Sequence, residues 1–334
     1  MHFFVMNYDK IVIGGKNMAV YTFLDDFQLD MIKAEYGLHR VIKTQPIEAG
    51  VENSNYHLFF ERQEGRADRA ILTIFEQRVN KENIDFYVQL KEYLHARGIP
   101  CPTPYRTLSG ARFMRLGDKL IALVHFLEGA SILAPSVADS AQAGSMLARM
   151  HCAGADFPLH NPNGVSFAGW EALLARIARV APHHDLYALA TQEYDYQCSH
   201  FPRDLSCGVI HADMFPNNVF FDNNGTLSGV IDFYFACNDA YAYDLAITAN
   251  AWCFDAKGMW NGQAYDAMCA AYDAVRPRSH AEHAAMPILL RASAMRFLLT
   301  RLHDVLYHNP DALVIPHDPQ EYADKLMLHQ QMWR

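Results

Sequence analysis

No run of residues in this 334-residue chain is long and apolar enough to span a bilayer. The opening stretch, MHFFVMNYDKIVIGGKNMAVYTFL, lacks the basic start and long apolar centre of a secretory signal. Cysteine is odd in number (Cys101, Cys152, Cys198, Cys207, Cys237, Cys253 and Cys269), and no C-x-x-C occurs. That pattern argues against a disulfide framework or a zinc ribbon and for a reducing, cytoplasmic setting. No H-E-x-x-H occurs either, and HAEH (His280–His283) has no Cys or carboxylate cluster within sequence reach, which disfavours zinc chemistry. Basic excess is missing as well. Lys and Arg total 28 against 37 Asp and Glu, a net charge of −9. Nucleic acid and anionic membranes are therefore poor partners. A nucleotide stays compatible, because magnesium neutralises phosphates locally. Repeats and low-complexity tracts are absent too.

What remains is the balance of a folded protein, 51% apolar and 19% charged, enough for one large core or two ordinary domains. The first seventeen residues show no clear periodicity. Met18 is the expected native start, with residues 1–17 an N-terminal extension; the alternative reading of that segment is an extra strand. Asp25–Tyr36 reads as a short amphipathic helix, acidic at its start and closed by Gly37. Val41–Ile47, Tyr56–Glu61 and Ala70–Glu76 read as strands. Lys81–Arg97 reads as a helix with Ile84, Tyr87, Val88, Leu90 and Leu94 near one face, stopped by GIPCPTP. Tyr105–Leu108, Arg112–Leu116 and Leu120–Val124 read as further strands. Helices dominate beyond: Ser136–Cys152, Trp170–Val180, Leu186–His200, then near Tyr243–Phe254, Gln263–Val275, His283–Tyr307 and Glu321–Met332. In AGSMLARMH the face of Met146, Leu147 and Met150 reads as core packing, with His151 a buried, satisfied histidine. Strands followed by helices imply an α+β chain. Residues 18–127 form a small strand-rich lobe and 128–334 a larger helical lobe, connected near Phe126–Leu133.

One stretch carries the chemistry: CGVIHADMFPNNVFFDNNGTLSGVIDF, Cys207 to Phe233. Val219–Phe221 and Leu227–Ile231 flank an Asn- and Gly-rich turn, so they fold as an antiparallel hairpin. The hairpin brings Asn218 beside Asp232, and Asp213 lies five residues before Asn218 on the same polar loop. Two carboxylates and an amide at one place suit magnesium. They also suit phosphoryl transfer: Asn218 and Asp232 for metal, Asp213 to orient a hydroxyl nucleophile. His211, Asp213 and Asn218 have the H-x-D-x-x-x-x-N spacing of a kinase catalytic loop, and Asp232-Phe233 stands where its metal-binding Asp-Phe pair stands. His211 braces the loop rather than reacting. The bland reading of these residues is a polar turn with capping side chains.

At these residues, VIHADMFPNNVFF followed by GVIDFYFACNDAYAYDLAI, the chain resembles the aminoglycoside-phosphotransferase-like superfamily, whose fold is protein-kinase-like. GVENSNYHL, ILTIFE, RFLLTRL and HDPQEY are similar to the type II homoserine kinase branch, over about Met18 to Arg334. The resemblance implies two lobes, a small antiparallel sheet and a larger helical part. It implies ATP- and Mg²⁺-dependent phosphorylation of the L-homoserine hydroxyl, a step towards threonine. It makes Asp213 the catalytic base and Asn218 and Asp232 the magnesium ligands. It places the loop EAGVENSNY over the phosphates, with Gly50, Asn53, Ser54 and Asn55 as nucleotide contacts; without the catalytic block this loop reads equally well as a hairpin turn. It makes Val124–Leu127, with Phe126, the hinge that meets adenine. Asp244, in YDLA, caps a helix and braces the loop.

Protein kinases carry a third-strand Lys paired to a helix Glu. Here Thr73 holds the strand position, and Phe86 and Tyr87 lie near the helix position, so both halves of the pair are missing together. For the substrate, Asp239 and Asp244 are candidates for the ammonium, with Asn250 and Trp252 in the adjoining string. A substrate carboxylate favours an Arg fork. Arg296 and Arg301 lie about 140° apart on a straight helix, and Arg296 is the preferred candidate. Two other readings stay open: a kinase of another small hydroxyl compound (hydroxylysine, choline, methylthioribose or an aminoglycoside), and a nucleotide-binding protein without catalysis.

Overall fold

The structure is a computed structural model and describes residues 22–47, 53–75, 81–308 and 315–332. The expected extension 1–17, and Gly50 of the phosphate loop, lie outside the described residues. Helix α1 (Asp26–Tyr36) starts on a capping box in which Asp25 and Gln28 satisfy each other's backbone N–H. It ends on Gly37 at φ 63°, a left-handed conformation that glycine adopts without a Cβ clash.

Strands β1 (Arg40–Ile47), β2 (Asn53–Glu61) and β3 (Ala67–Phe75) follow. Helix α2 (Lys81–His95) comes next, then β4 (Met114–Leu116) and β5 (Lys119–His125). They form an antiparallel sheet in the order β1-β2-β3-β5-β4. Period-two alternation splits its side chains between two faces. Tyr56, Leu58, Phe60, Leu72, Ile74, Ile121 and Leu123 pack against Ile32 and Tyr36 of α1. Phe75, Leu120, Ala122 and Val124 pack against Ile84 and Val88 of α2 on the other face. Helix α2 buries more than one stripe, since Phe86, Tyr87, Leu90 and Leu94 pack into the helical lobe.

Tyr105–Leu108 is not a strand. One bridge joins Pro104 to Val124, and Tyr105 N–H reaches the Leu123 carbonyl at 2.7 Å. Pro102 and Pro104 donate no N–H, so the ladder does not extend.

The helical lobe contains α3 (Val137–Gly154), α4 (Phe167–Val180) and α5 (Asp185–His200). Strands β6 (Cys207–Ile210), β7 (Val219–Phe221), β8 (Leu227–Val230) and β9 (Cys237–Ala240) come next, then α6 (Tyr241–Trp252), α7 (Gly262–Asp273), α8 (His280–Leu306) and α9 (Gln320–Met332). The expected hairpin is β7–β8. β6 pairs instead with β9, a short polar strand with no alternating pattern to announce it. Helix α6 is buried almost all round, so it forms the axis of this lobe. The connection from β5 is pinned to the hairpin: Ala130 and Phe221 exchange two backbone bonds, and Ser228 Oγ donates to the Glu128 carbonyl. Gly129, at φ 119°, sits at this crossing, where a Cβ would collide with Ser228 and the Phe221 carbonyl. Among the described residues no helix is long and apolar enough to cross a membrane.

Candidate active site

The catalytic loop leaves β6 at His211 and enters β7 through a 3₁₀ turn, Pro216–Asn218. Ala212 and Asp232 are the two non-glycine residues with positive φ among the described residues, at 62° and 63°. Such strain persists only where neighbours over-determine the backbone. For Ala212 they do. The buried Asp244 carboxylate accepts the His211 and Ala212 N–H groups at 2.7 and 2.8 Å. Arg296 Nη1 donates to the Ala212 carbonyl at 2.6 Å, and Trp252 Nε1 to the Met214 carbonyl at 2.7 Å.

His211 is buried. Its Nε2–H donates to the Ile231 carbonyl at 3.0 Å, and Nδ1 accepts the Asp213 N–H at 3.2 Å. Both nitrogens are thus occupied in the neutral ring, and burial pushes its pKa below the ordinary histidine range. This is the bracing role its position suggested.

Asn218 Nδ2 donates to the Asp213 carbonyl and carboxylate at 2.9 and 3.1 Å. The Asn218 carbonyl accepts the Ile231 N–H, which sets Asp232 alongside. Asp213, Asn218 and Asp232 therefore converge as the hairpin required. Asp232 is open to solvent yet enclosed on most sides by protein. That enclosure pushes its carboxyl above the usual range, while His211, the Tyr234 N–H and Lys91 pull it down. Water at the solvent opening screens the carboxylate and lessens that push. Among the described residues no three His, Cys, Asp or Glu side chains group as a metal site. Two carboxylates and an amide, with Asn218 Oδ1 not committed to a hydrogen bond with Asp213, fit a hard cation that also uses phosphate oxygens.

The nucleotide candidates divide by strand parity. Asn55, on β2, accepts the Thr73 hydroxyl at 2.8 Å on the face that carries Phe75 and Ala122. Asn53 lies on the same side, and its buried Oδ1 has no protein partner. Ser54 points the other way. It is fully buried and its side chain accepts the Thr22 N–H, on the face opposite Asn53 and Asn55. The half-buried Phe126 stacks under the Arg69 guanidinium at 3.4 Å, and the His57 ring lies 5.7 Å away. Phe86 and Tyr87 are buried, as a missing Glu implied; α2 carries a buried cation instead, Lys91.

Most substrate candidates are buried in the helical lobe. Both Asp244 oxygens are committed to the loop, and His151 Nε2 adds a bond at 3.0 Å. Burial would raise this carboxyl, but the bond and charge of His151, with His211, hold it below the usual range. His151, buried as expected, also meets the Tyr272 hydroxyl at 2.7 Å. Asn250 is fully buried: its amide donates to Leu290 O and Ser293, and His329 donates to its Oδ1 at 2.7 Å. Trp252 and Arg296 face the catalytic loop from behind, 2% exposed each. Packing in the helical lobe, invisible in a linear string, turns all four inward. Arg301 points elsewhere, to Glu321 and the Asp318 carbonyl. Asp239 alone of these candidates is partly exposed. It accepts Asn163 Nδ2 at 2.7 Å, and burial raises its carboxyl. A cavity of about 510 Å³ lies by α1 and β4, lined by Met31, Glu35 and Met114. It is on the α1 side of the sheet, away from the converging carboxylates, and has no part in the site.

Residues 43–278 match the phosphotransferase enzyme family. A homoserine kinase of Parvibaculum lavamentivorans is 45% identical over 314 residues, 93% of this chain and 96% of that protein. One of Methylobacterium radiotolerans is 44% identical over 316 residues, 94% and 97% of the two chains. Among solved structures, an amicoumacin kinase in complex with AMP-PNP and Ca²⁺ superposes with a TM-score of 0.68 at 16% identity, covering 92% of this chain and 94% of that one. A spectinomycin phosphotransferase in complex with ADP gives 0.64 at 14%, covering 93% and 95%. These two likenesses concern the fold, which is the protein-kinase-like fold of small-molecule phosphotransferases. By its matched residues and its near full-length relatives, the chain belongs to the phosphotransferase enzyme family and, within it, to the homoserine kinases.

Proposed function

We propose that this enzyme transfers the γ-phosphoryl group of ATP to the side-chain hydroxyl of L-homoserine, with Asp213, Asn218 and Asp232 as the reacting centre. The observation that carries the chemistry is the Asn218 amide, bonded to Asp213 and laddered to the strand end that bears Asp232. The substrate follows from the relatives named above, which align over nearly the whole chain.

Phosphoryl transfer passes through a loose transition state, so positioning and charge do most of the work. Asp213 orients the attacking hydroxyl and accepts its proton as the O–P bond forms. Asn218 fixes the Asp213 carboxylate through Nδ2. His211 and Asp244 hold the backbone that sets where Asp213 sits. Asn218 Oδ1 and Asp232 would hold magnesium, which when bound neutralises charge on the phosphate oxygens. Asn53 and Asn55 offer amides on the cleft face of β2 for the nucleotide, and Asp239 is the remaining candidate for the substrate ammonium.

The test is ADP release by purified enzyme with ATP, magnesium and a panel of hydroxyl acceptors. Homoserine is expected to give saturable turnover that stops on chelation. Turnover with another acceptor but none with homoserine would overturn the substrate reading.

A further inference from the structure

His57 lies on the cleft face of the sheet, and the reaction described above does not use it. Strand register puts it there. His57 pairs with Ile71 on β3, and Ile71 pairs with Val124 on β5. Directly paired residues share a face. Ile71 and Val124 belong to the α2 side of the sheet, the side of Asn55 and Thr73. Helix α2 packs on the stretch from Phe75 to Val124 and leaves His57 and Phe126 half-buried.

The two rings form a corner, 5.7 Å apart and tilted by 43°. Arg69 covers one face of Phe126 at 3.4 Å, and Glu128 holds that guanidinium with both oxygens, at 2.9 and 3.0 Å. The clamp fixes Phe126 beside His57. Phe59 lies 6.2 Å from the imidazole and is tilted by 38°, so neither neighbour stacks flat on it. His57 Nδ1 is buried with no protein partner, so no bond at that nitrogen commits the ring to another role. Burial first, then the charges of Arg69 and Lys43, hold the imidazole below the ordinary histidine range and keep it neutral. A neutral aromatic face at the cleft suits a second flat ring. The spacing fits as well. His57 is two residues beyond Asn55, about 7 Å along the strand. With the Asn53 and Asn55 amides at the phosphates, a ribose spans that step and brings the base to His57.

We propose that His57 is a specificity-determining residue for the nucleotide: its imidazole face stacks on the base beside Phe126 and favours purines over pyrimidines. The inference rests on the nucleotide reading above and extends it from the phosphates to the base. Stacked area grows with ring size, so a purine gains more than a pyrimidine. Adenine and guanine present similar faces, so His57 does not separate them.

Calorimetry measures the binding of ADP, CDP and tripolyphosphate, each with magnesium, to wild type, H57A and H57F. H57A is expected to bind ADP about tenfold more weakly, the scale of one base–aromatic stack. CDP should lose less, and tripolyphosphate, which has no base, should bind as it does to wild type. H57F restores a flat ring and is expected to recover most of the ADP affinity. H57Q is the second variant should H57A misfold. Equal losses for ADP and tripolyphosphate mark a packing or phosphate role and overturn the proposal. So does ADP binding by H57A or H57Q at wild-type strength, or an H57F as weak as H57A. In each of these outcomes wild type still binds ADP, and the phosphotransfer reading stands. If wild type binds no ADP with magnesium, the nucleotide reading itself fails, and the His57 proposal fails with it.

Discussion

The Arg296 guanidinium lies under the Ala212 carbonyl, 2.6 Å away, while Asp244 grips the N–H of the same residue from the other side. Ala212 precedes Asp213 and sits at a left-handed φ of 62°. Release of either grip lets that strain relax and moves the carboxylate. R296M is therefore expected to lower kcat about 10- to 100-fold, the scale of a misplaced catalytic group. The KM for homoserine should change little. Steady-state kinetics separates this from a carboxylate fork, whose loss would appear chiefly in KM.

Asp213 has a different signature. Its carboxylate accepts the Asn218 amide N–H, and in the proposed reaction it takes the proton of the substrate hydroxyl. D213N keeps the size and removes the base, so kcat is expected to fall about 10³-fold. Nucleotide affinity, measured by calorimetry with ADP and magnesium, should remain near wild type. A comparable loss of affinity would place Asp213 with the ligand-holding groups instead.

The legible parts of the sequence were those in which local rules act alone. An Asn-Gly turn between apolar runs forces a hairpin, so the sequence alone sets Asn218 beside Asp232. The acidic start and Gly37 mark both ends of α1 in the sequence, and the structure adds the Asp25–Gln28 box at the first of them. Tertiary decisions were not legible. Asn250, Trp252 and Arg296 looked like pocket residues, because a polar or aromatic side chain on an apolar helix reads the same whether it lines a cleft or ties helices together. Ser54 shared a string with Asn53 and Asn55, but strand pairing through Asn55↔Thr73 fixed its parity away from the cleft. Lys91 reads as an ordinary solvated lysine until the loop after Asp232 packs over it. β9 has four residues, two of them polar, and exists because β6 offers it an edge.

Asp244 joins the catalytic loop to the core: it takes two backbone N–H groups and His151, fully buried. D244N places an amide NH₂ or a single oxygen where two acceptors are needed. One buried donor is then left unpaired. The expected cost is about 3 kcal/mol, read as a lower denaturant midpoint at unchanged slope. A variant as stable as wild type would show that the loop carries itself.

His329 is one contributor to the acid limb of stability whose shift is large. Its Nε2–H donates to Asn250 Oδ1 at 2.7 Å, and Lys325 bonds the Asn250 carbonyl at 2.9 Å. Burial first, then the charges of Lys325 and Arg291, lower its pKa from 6.5 to about 4. Between those values the unfolded chain binds a proton that the folded ring refuses. Stability therefore rises with pH across the window, complete above about 6.5 and falling as pH drops towards 4. At pH 5 the loss from this ring alone is about 2 kcal/mol. H329Q keeps a donor for Asn250 and has no proton to gain. Denaturant midpoints of the two proteins should therefore draw together as pH falls from 7 to 5. Parallel curves would mean that His329 titrates alike in both states and that the acid limb belongs to other groups.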